Sequence, residues 1–108
     1  MKTLKFREPL SKLILQGEKT TTWRLFDDKD LSAGDLVSFL VSETKKEFAQ
    51  AKLISVKEAT LEKMTEEDWE GHDKFSSDAE MFTAFSKYYN CPVDGKTAVK
   101  VVKFELVK

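Results

Sequence analysis

Residues 17–24 read Gly-Glu-Lys-Thr-Thr-Thr-Trp-Arg, with a cation near each end, hydroxyls between them and an indole beside the arginine. β-Branched residues favour an extended backbone, because two heavy atoms on Cβ pack well on a pleated surface and crowd a helix. Lys19–Arg24 is therefore expected to be a strand. Side chains alternate along a strand, which puts Thr20, Thr22 and Arg24 on one face and Lys19, Thr21 and Trp23 on the other. A twist or bulge beside Gly17 would bring Lys19 round to join Thr22 and Arg24. A solvated edge strand with a threonine ladder accounts for the same residues. Cations flanking hydroxyls also make an anion or carbonyl site, so both readings stand at this point.

Upstream, Leu4 and Phe6 suggest a short strand. Pro9 then opens a helix where its missing N–H costs little, Leu10, Leu13 and Ile14 form the apolar stripe, and Gly17 stops the helix. Downstream, Asp27-Asp28-Lys29-Asp30 reads as a polar turn and Ala33-Gly34-Asp35 as a second, leading into a buried strand over Leu36–Val41. Glu43–Glu47 has the composition of a hairpin loop before a long strand over Phe48–Lys57, and the two strands should pair antiparallel. Ala98–Val107 is the strongest strand signal, with Val102, Phe104 and Leu106 on one face, and is expected to close the sheet. Between these strands, Thr65-x-x-Asp68 and Ser77-x-x-Glu80 match the capping-box pattern or its aspartate variant, so each starts a helix. Met81, Phe82, Phe85, Tyr88 and Tyr89 share one face of the second helix, a stripe that belongs to a core. Tyr88 and Tyr89 stand out within it because a phenol tip prefers water or a polar partner.

The 108 residues fit one domain, spanning 1–108, with a small core. Lysine and arginine total 18 against 19 acidic residues, a net charge of −1, so there is no broad field attracting polyanions and any nucleic-acid contact must be local. The single cysteine, Cys91, leaves no intramolecular disulfide and fits a reducing compartment, with the cytoplasm as the expected location. Met1–Phe6 alternates polar and apolar residues unlike a signal peptide, and no apolar run approaches a membrane span.

Several chemical templates fail. One histidine and one cysteine leave no ligand set for a Cys/His zinc site, and His72 has no partner histidine at metal-binding spacing. There is no glycine-rich phosphate loop and no nucleophile-elbow serine, so neither a metal nor a nucleotide cofactor is expected. What remains is the 17–24 segment together with Asp68-Trp69-Glu70-Gly71-His72, where acidic, aromatic and imidazole groups crowd at a helix end.

The pattern Gly17-x-Lys19-x-x-Thr22-x-Arg24, preceded by a short amphipathic helix and followed by the Ala33-Gly34-Asp35 turn and a strand, resembles the ASCH family of the PUA-like superfamily. The resemblance covers essentially the whole chain. It implies an α+β fold, a small, partly open PUA-like β-barrel with covering helices. With Thr22 at the variable position, the chain is similar to the threonine subset of the family. Some members of that subset remove the acetyl group from N(4)-acetylcytidine, and others are described as RNA-binding or RNA-cleaving.

Carried over by residue, the resemblance implies a hydrolase with Lys19 as base, Thr22 as nucleophile or water positioner and a carboxylate from the helical section as acid. A lysine base must lose its proton, which desolvation or a nearby cation such as Arg24 promotes. Arg24 would orient a carboxylate or bind a developing oxyanion. Glu70 is the first choice for the acid, with Asp68 and His72 as substitutes; aligned from Thr65, His72 falls nearer the expected position. A histidine there also suits acid–base transfer on ribose hydroxyls, as in a ribonuclease. The alternative is an RNA- or nucleotide-binding module using the same cleft, with Trp23, Trp69, Tyr88 and Tyr89 stacking a base and Lys19 and Arg24 meeting a phosphate or base edge. The expected partner is thus a modified nucleoside or single-stranded RNA, with no cofactor and no membrane. A monomer is expected, with a weak dimer as its alternative.

Overall fold

The chain starts as a strand, β1 (Lys2–Phe6), and turns at Arg7 into helix α1 (Glu8–Leu15), with Pro9 in the first turn. At the helix end the N–H groups of Gly17 and Glu18 donate to the carbonyls of Ile14 (3.1 Å) and Leu13 (3.0 Å). This double closure needs a left-handed residue, and Gly17 supplies it at φ +81°. The computed structural model describes residues 1–26, 29–72 and 75–107, so Asp27 and Asp28 of the expected polar turn lie outside the described residues.

Four further strands complete one mixed sheet: β2 (Thr21–Leu25), β3 (Leu36–Val41), β4 (Glu47–Thr60) and β5 (Ala98–Leu106), in the order β1-β3-β4-β5-β2. Only the β1–β3 pairing is parallel. Register shifts between Phe39 and Leu40 and between Leu53 and Ser55 add local twist, and the sheet curls into a half-barrel. One of its faces holds a core of Leu4, Phe6, Phe39, Leu53, Val102 and Phe104. Alternate residues Val99 and Val101 of β5 pack on the other side with Trp23, Leu25, Leu61 and Met81.

The capping motifs behave as written in the sequence. Thr65 caps a single-turn helix, α2 (Glu66–Trp69), by a reciprocal box with Asp68, and Ser77 caps α3 (Asp78–Tyr89) through the Glu80 N–H. Asn90 ends α3 in the left-handed region. Helix α3 lays Met81, Phe82, Phe85 and Tyr89 on the second core, while Tyr88 is 41% exposed.

Two expectations need correction. The motif strand begins at Thr21, not Lys19, because the Thr20 and Thr21 N–H groups both turn to the Gly71 carbonyl, at 2.8 and 3.1 Å. β5 does not close the sheet but lies between β4 and β2, leaving β1 and β2 as its edges. Those edges are joined by a side chain: Arg24 Nη2 donates to the Lys5 carbonyl at 2.8 Å, and its guanidinium lies 4.6 Å from the centre of the Phe6 ring. Among the described residues Arg24 thus bridges the two edges of the half-barrel, where no hydrogen-bonded ladder joins β1 to β2.

Candidate functional site

Where β1 and β2 approach under α3, the surface folds into a cleft of about 340 Å³. Lys19, Thr22 and His72 line it from three different segments, together with Trp23, Arg24 and Tyr88. Lys19, Thr22, Trp23 and His72 form the deep wall, at 3%, 4%, 3% and 8% exposure. Lys19 reaches this wall although it precedes the strand. The turn at Gly17 and the Lys19 N–H bond to the Leu13 carbonyl (3.2 Å) hold its backbone off the strand path, and its Nζ donates to the Thr21 carbonyl at 3.0 Å.

His72 is delivered by the Asp68–Gly71 loop, and that loop is fastened to the motif strand by a run of hydrogen bonds. Trp23 Nε1 donates to the Asp68 carbonyl (3.1 Å), Thr21 Oγ1 to the Glu70 carbonyl (2.7 Å), and the Thr20 and Thr21 N–H groups to the Gly71 carbonyl. The His72 ring stacks on Trp23, with ring centres 4.1 Å apart and planes 18° apart, and Trp69 meets Trp23 edge-on at 4.4 Å. Trp23 is therefore packed into the wall, not presented as a free stacking face. Trp69 supports it from behind and does not line the cleft.

The candidate acids separate clearly. Asp68 is buried outside the cleft, where its carboxylate accepts from the Thr65 N–H (3.0 Å) and from Lys57 Nζ (3.1 and 3.2 Å). Burial pushes its pKa up, but the Thr65 and Lys57 hydrogen bonds outweigh it and leave the value below the ordinary one. Asp68 is thus ionised at neutral pH and has no proton to give. Glu70 is exposed and faces a separate groove with Glu66, Glu67 and Lys103, so only its backbone carbonyl touches the motif strand. His72 is the one member of the three that lines the cleft.

Arg24 has structural duties besides lining the cleft, through its contacts with Lys5 and Phe6, and its buried Nε has no hydrogen-bond partner among the described residues. Tyr89 accepts from the Leu25 N–H at 3.1 Å, and burial, partly offset by that bond and by Arg24, raises its phenol pKa. Lys5 and Arg7, at the mouth, escaped the sequence reading. They belong to β1 and its following turn, far from the motif in sequence, and no pattern of their own marks them. Among the described residues no group of His, Cys, Asp and Glu is arranged to hold a metal ion, and no helix is long and apolar enough to cross a membrane.

A curled mixed sheet with helices against it and a cleft of this size between its edge strands defines a PUA-like α+β domain. The chain belongs to the ASCH domain family, whose model matches residues 2–108; the family is proposed for RNA binding. Among solved structures, protein EF3133 from Enterococcus faecalis V583 is similar at 19% identity over 92% of this chain and 70% of that one, with a TM-score of 0.76. The ASCH domain from Lactobacillus crispatus JV V101 aligns at 16% identity over 97% and 79%, TM-score 0.68. Hypothetical protein PH0355 aligns at 23% identity over 99% and 100%, TM-score 0.73. At such identities these neighbours speak to the fold alone. No curated protein matches the chain.

Proposed function

We propose that the cleft takes one nucleobase, as a nucleoside or an extruded residue of single-stranded RNA, and hydrolyses the acetyl amide of N(4)-acetylcytidine. The observation carrying this reading is the convergence of Lys19, Thr22 and His72 on one cleft. Its volume of about 340 Å³ lies at the small end of ligand sites, which suits a nucleoside better than a length of strand.

In this reading Lys19 accepts a proton from water positioned by Thr22, or from the Thr22 hydroxyl itself, as oxygen adds to the acetyl carbonyl. Donors in the cleft meet the oxyanion that forms. The C–N4 bond then breaks as His72 delivers a proton to the leaving amine, releasing cytidine; on the water path acetate leaves with it, and on the Thr22 path the acetyl ester formed on the threonine oxygen is hydrolysed by a water molecule to release acetate. His72 takes the role first assigned to Glu70, because it faces the cleft and Glu70 does not.

The test is a chromatographic assay of N(4)-acetylcytidine hydrolysis beside a short single-stranded RNA. Turnover is expected in the parent protein and in Glu70→Gln, and loss in Lys19→Arg, since arginine cannot give up its proton to act as a base, and in His72→Asn. No turnover of the acetylated nucleoside, or turnover that survives Lys19→Arg, overturns the mechanism. RNA cleavage in its place would transfer His72 to acid–base chemistry on ribose, and tight nucleoside binding without turnover would leave a reader of single bases.

A further inference from the structure

Acidic and basic residues are nearly balanced along this chain, yet the described lining of the cleft holds Lys5, Arg7, Lys19 and Arg24 and no carboxylate. The two cations at the mouth are placed differently from the two within. Lys5 and Arg7 are exposed, and neither is in an ion pair among the described residues. Arg7 is nevertheless positioned, its guanidinium lying 5.5 Å from the centre of the Tyr88 ring, so a residue leading into α1 meets the end of α3 across the opening. A guanidinium held over an aromatic face keeps its edge donors available for a planar or tetrahedral anion.

A bare nucleoside brings no negative charge to such an opening. We infer that the ligand is a nucleotide: its phosphate rests against Lys5 and Arg7 at the mouth, and its base enters toward Thr22 and His72. The inference rests on the nucleobase reading above and adds the phosphate to it. The same phosphate chemistry is offered by a free mononucleotide and by a residue within RNA, and these donor cations concentrate it locally without any field from the protein as a whole.

Calorimetric titration of the full chain with cytidine, cytidine 5′-monophosphate, a cytidine trinucleotide and inorganic phosphate tests this directly. The monophosphate is expected to bind at least about tenfold more tightly than cytidine, or 1.4 kcal/mol, with a preference that weakens as salt is raised. In Lys5→Gln and Arg7→Gln the ratio should collapse toward unity, and Arg7→Lys should restore part of it. The Lys5 substitution spares the bond from Arg24, which uses the Lys5 backbone carbonyl. A trinucleotide tighter than the monophosphate identifies RNA as the source of the phosphate; a weaker one identifies the free nucleotide. Equal affinity for cytidine and its monophosphate overturns the inference and leaves the nucleobase reading intact. A ratio unchanged in both glutamine variants, or inorganic phosphate binding as tightly as the nucleotide, also overturns it. Absence of binding by every cytidine compound removes the nucleobase reading as well.

Discussion

Gly71→Ala tests whether the loop that carries His72 is locked to the motif strand as tightly as the hydrogen bonds imply. Gly71 sits at φ +76°, and a Cβ built there collides with Thr20 Oγ1 and falls 3.2 Å from Thr20 Cβ and 3.3 Å from Thr21 Oγ1. Rotating the Thr20 side chain moves its hydroxyl but not its Cβ, and the loop cannot retreat without lengthening the two bonds that converge on the Gly71 carbonyl. The left-handed backbone costs alanine about 1–2 kcal/mol. Overpacking adds about 1–3 kcal/mol. A total of at least about 2 kcal/mol should lower the melting temperature by roughly 10 °C in a domain of this size. Thermal unfolding followed by circular dichroism reads the loss. Thr20 is exposed, so Thr20→Ala alone should change little, while Thr20→Ala/Gly71→Ala should recover the part due to the Thr20 hydroxyl and leave the Thr20 Cβ contact and the backbone part. A single variant within about 0.5 kcal/mol of the parent would refute the lock. A double variant no more stable than Gly71→Ala would refute the collision as its cause.

Asp68 has a lowered pKa in the folded chain, so its contribution is full above the unfolded carboxyl value near 3.9 and is lost as pH falls through the folded value. Asp68→Asn should therefore flatten the acid limb of a urea-stability profile as well as cost about 1–3 kcal/mol at neutral pH. Tyr89→Phe removes the acceptor of the Leu25 N–H and should cost about 1 kcal/mol. Ultraviolet difference titration should show, in the parent and not in that variant, a phenol ionising above the ordinary value near 10, and parent stability falling as pH rises past it. Arg24→Lys keeps the charge but loses the planar fork that reaches Lys5 while lying over Phe6, and should cost about 1–2 kcal/mol by chemical denaturation.

Much of the fold could be read locally. The helix stop at Gly17, the Leu36–Val41 strand, the box at Thr65 and the cap at Ser77 each depend on residues a few positions apart, and all appear where the sequence puts them, although Ser77 caps without the reciprocal half of its box. What the sequence hid depends on distant partners. The place of β5 inside the sheet follows from its pairing with both β4 and β2, and its two faces are buried in different cores. The choice among Asp68, Glu70 and His72 was open for the same reason. All three sit within five residues at the end of α2, and only the distant contacts of Lys57, Lys103 and Trp23 decide which way each side chain turns.

The alternation expected for residues 19–24 explains how one short stretch serves both architecture and site. Within the strand, Thr21 and Trp23 direct side-chain donors to the segment 68–71 while Thr22 and Arg24 line the cleft, whose wall the Trp23 ring also joins; Thr20, ahead of the strand, adds its backbone N–H to the Gly71 carbonyl. Lys19 escapes the alternation because its backbone is still completing the turn after α1, and so it joins Thr22 and Arg24 from outside the strand. The residues between the motif positions are consequently not spacers. They hold the loop that presents His72, and displacing any of them should alter the site through that loop before it alters the sheet. The expected solvated ladder is not what the threonine run forms: Thr21 and Thr22 are buried, and the run instead ties the motif strand to the loop carrying the third side chain of the cleft.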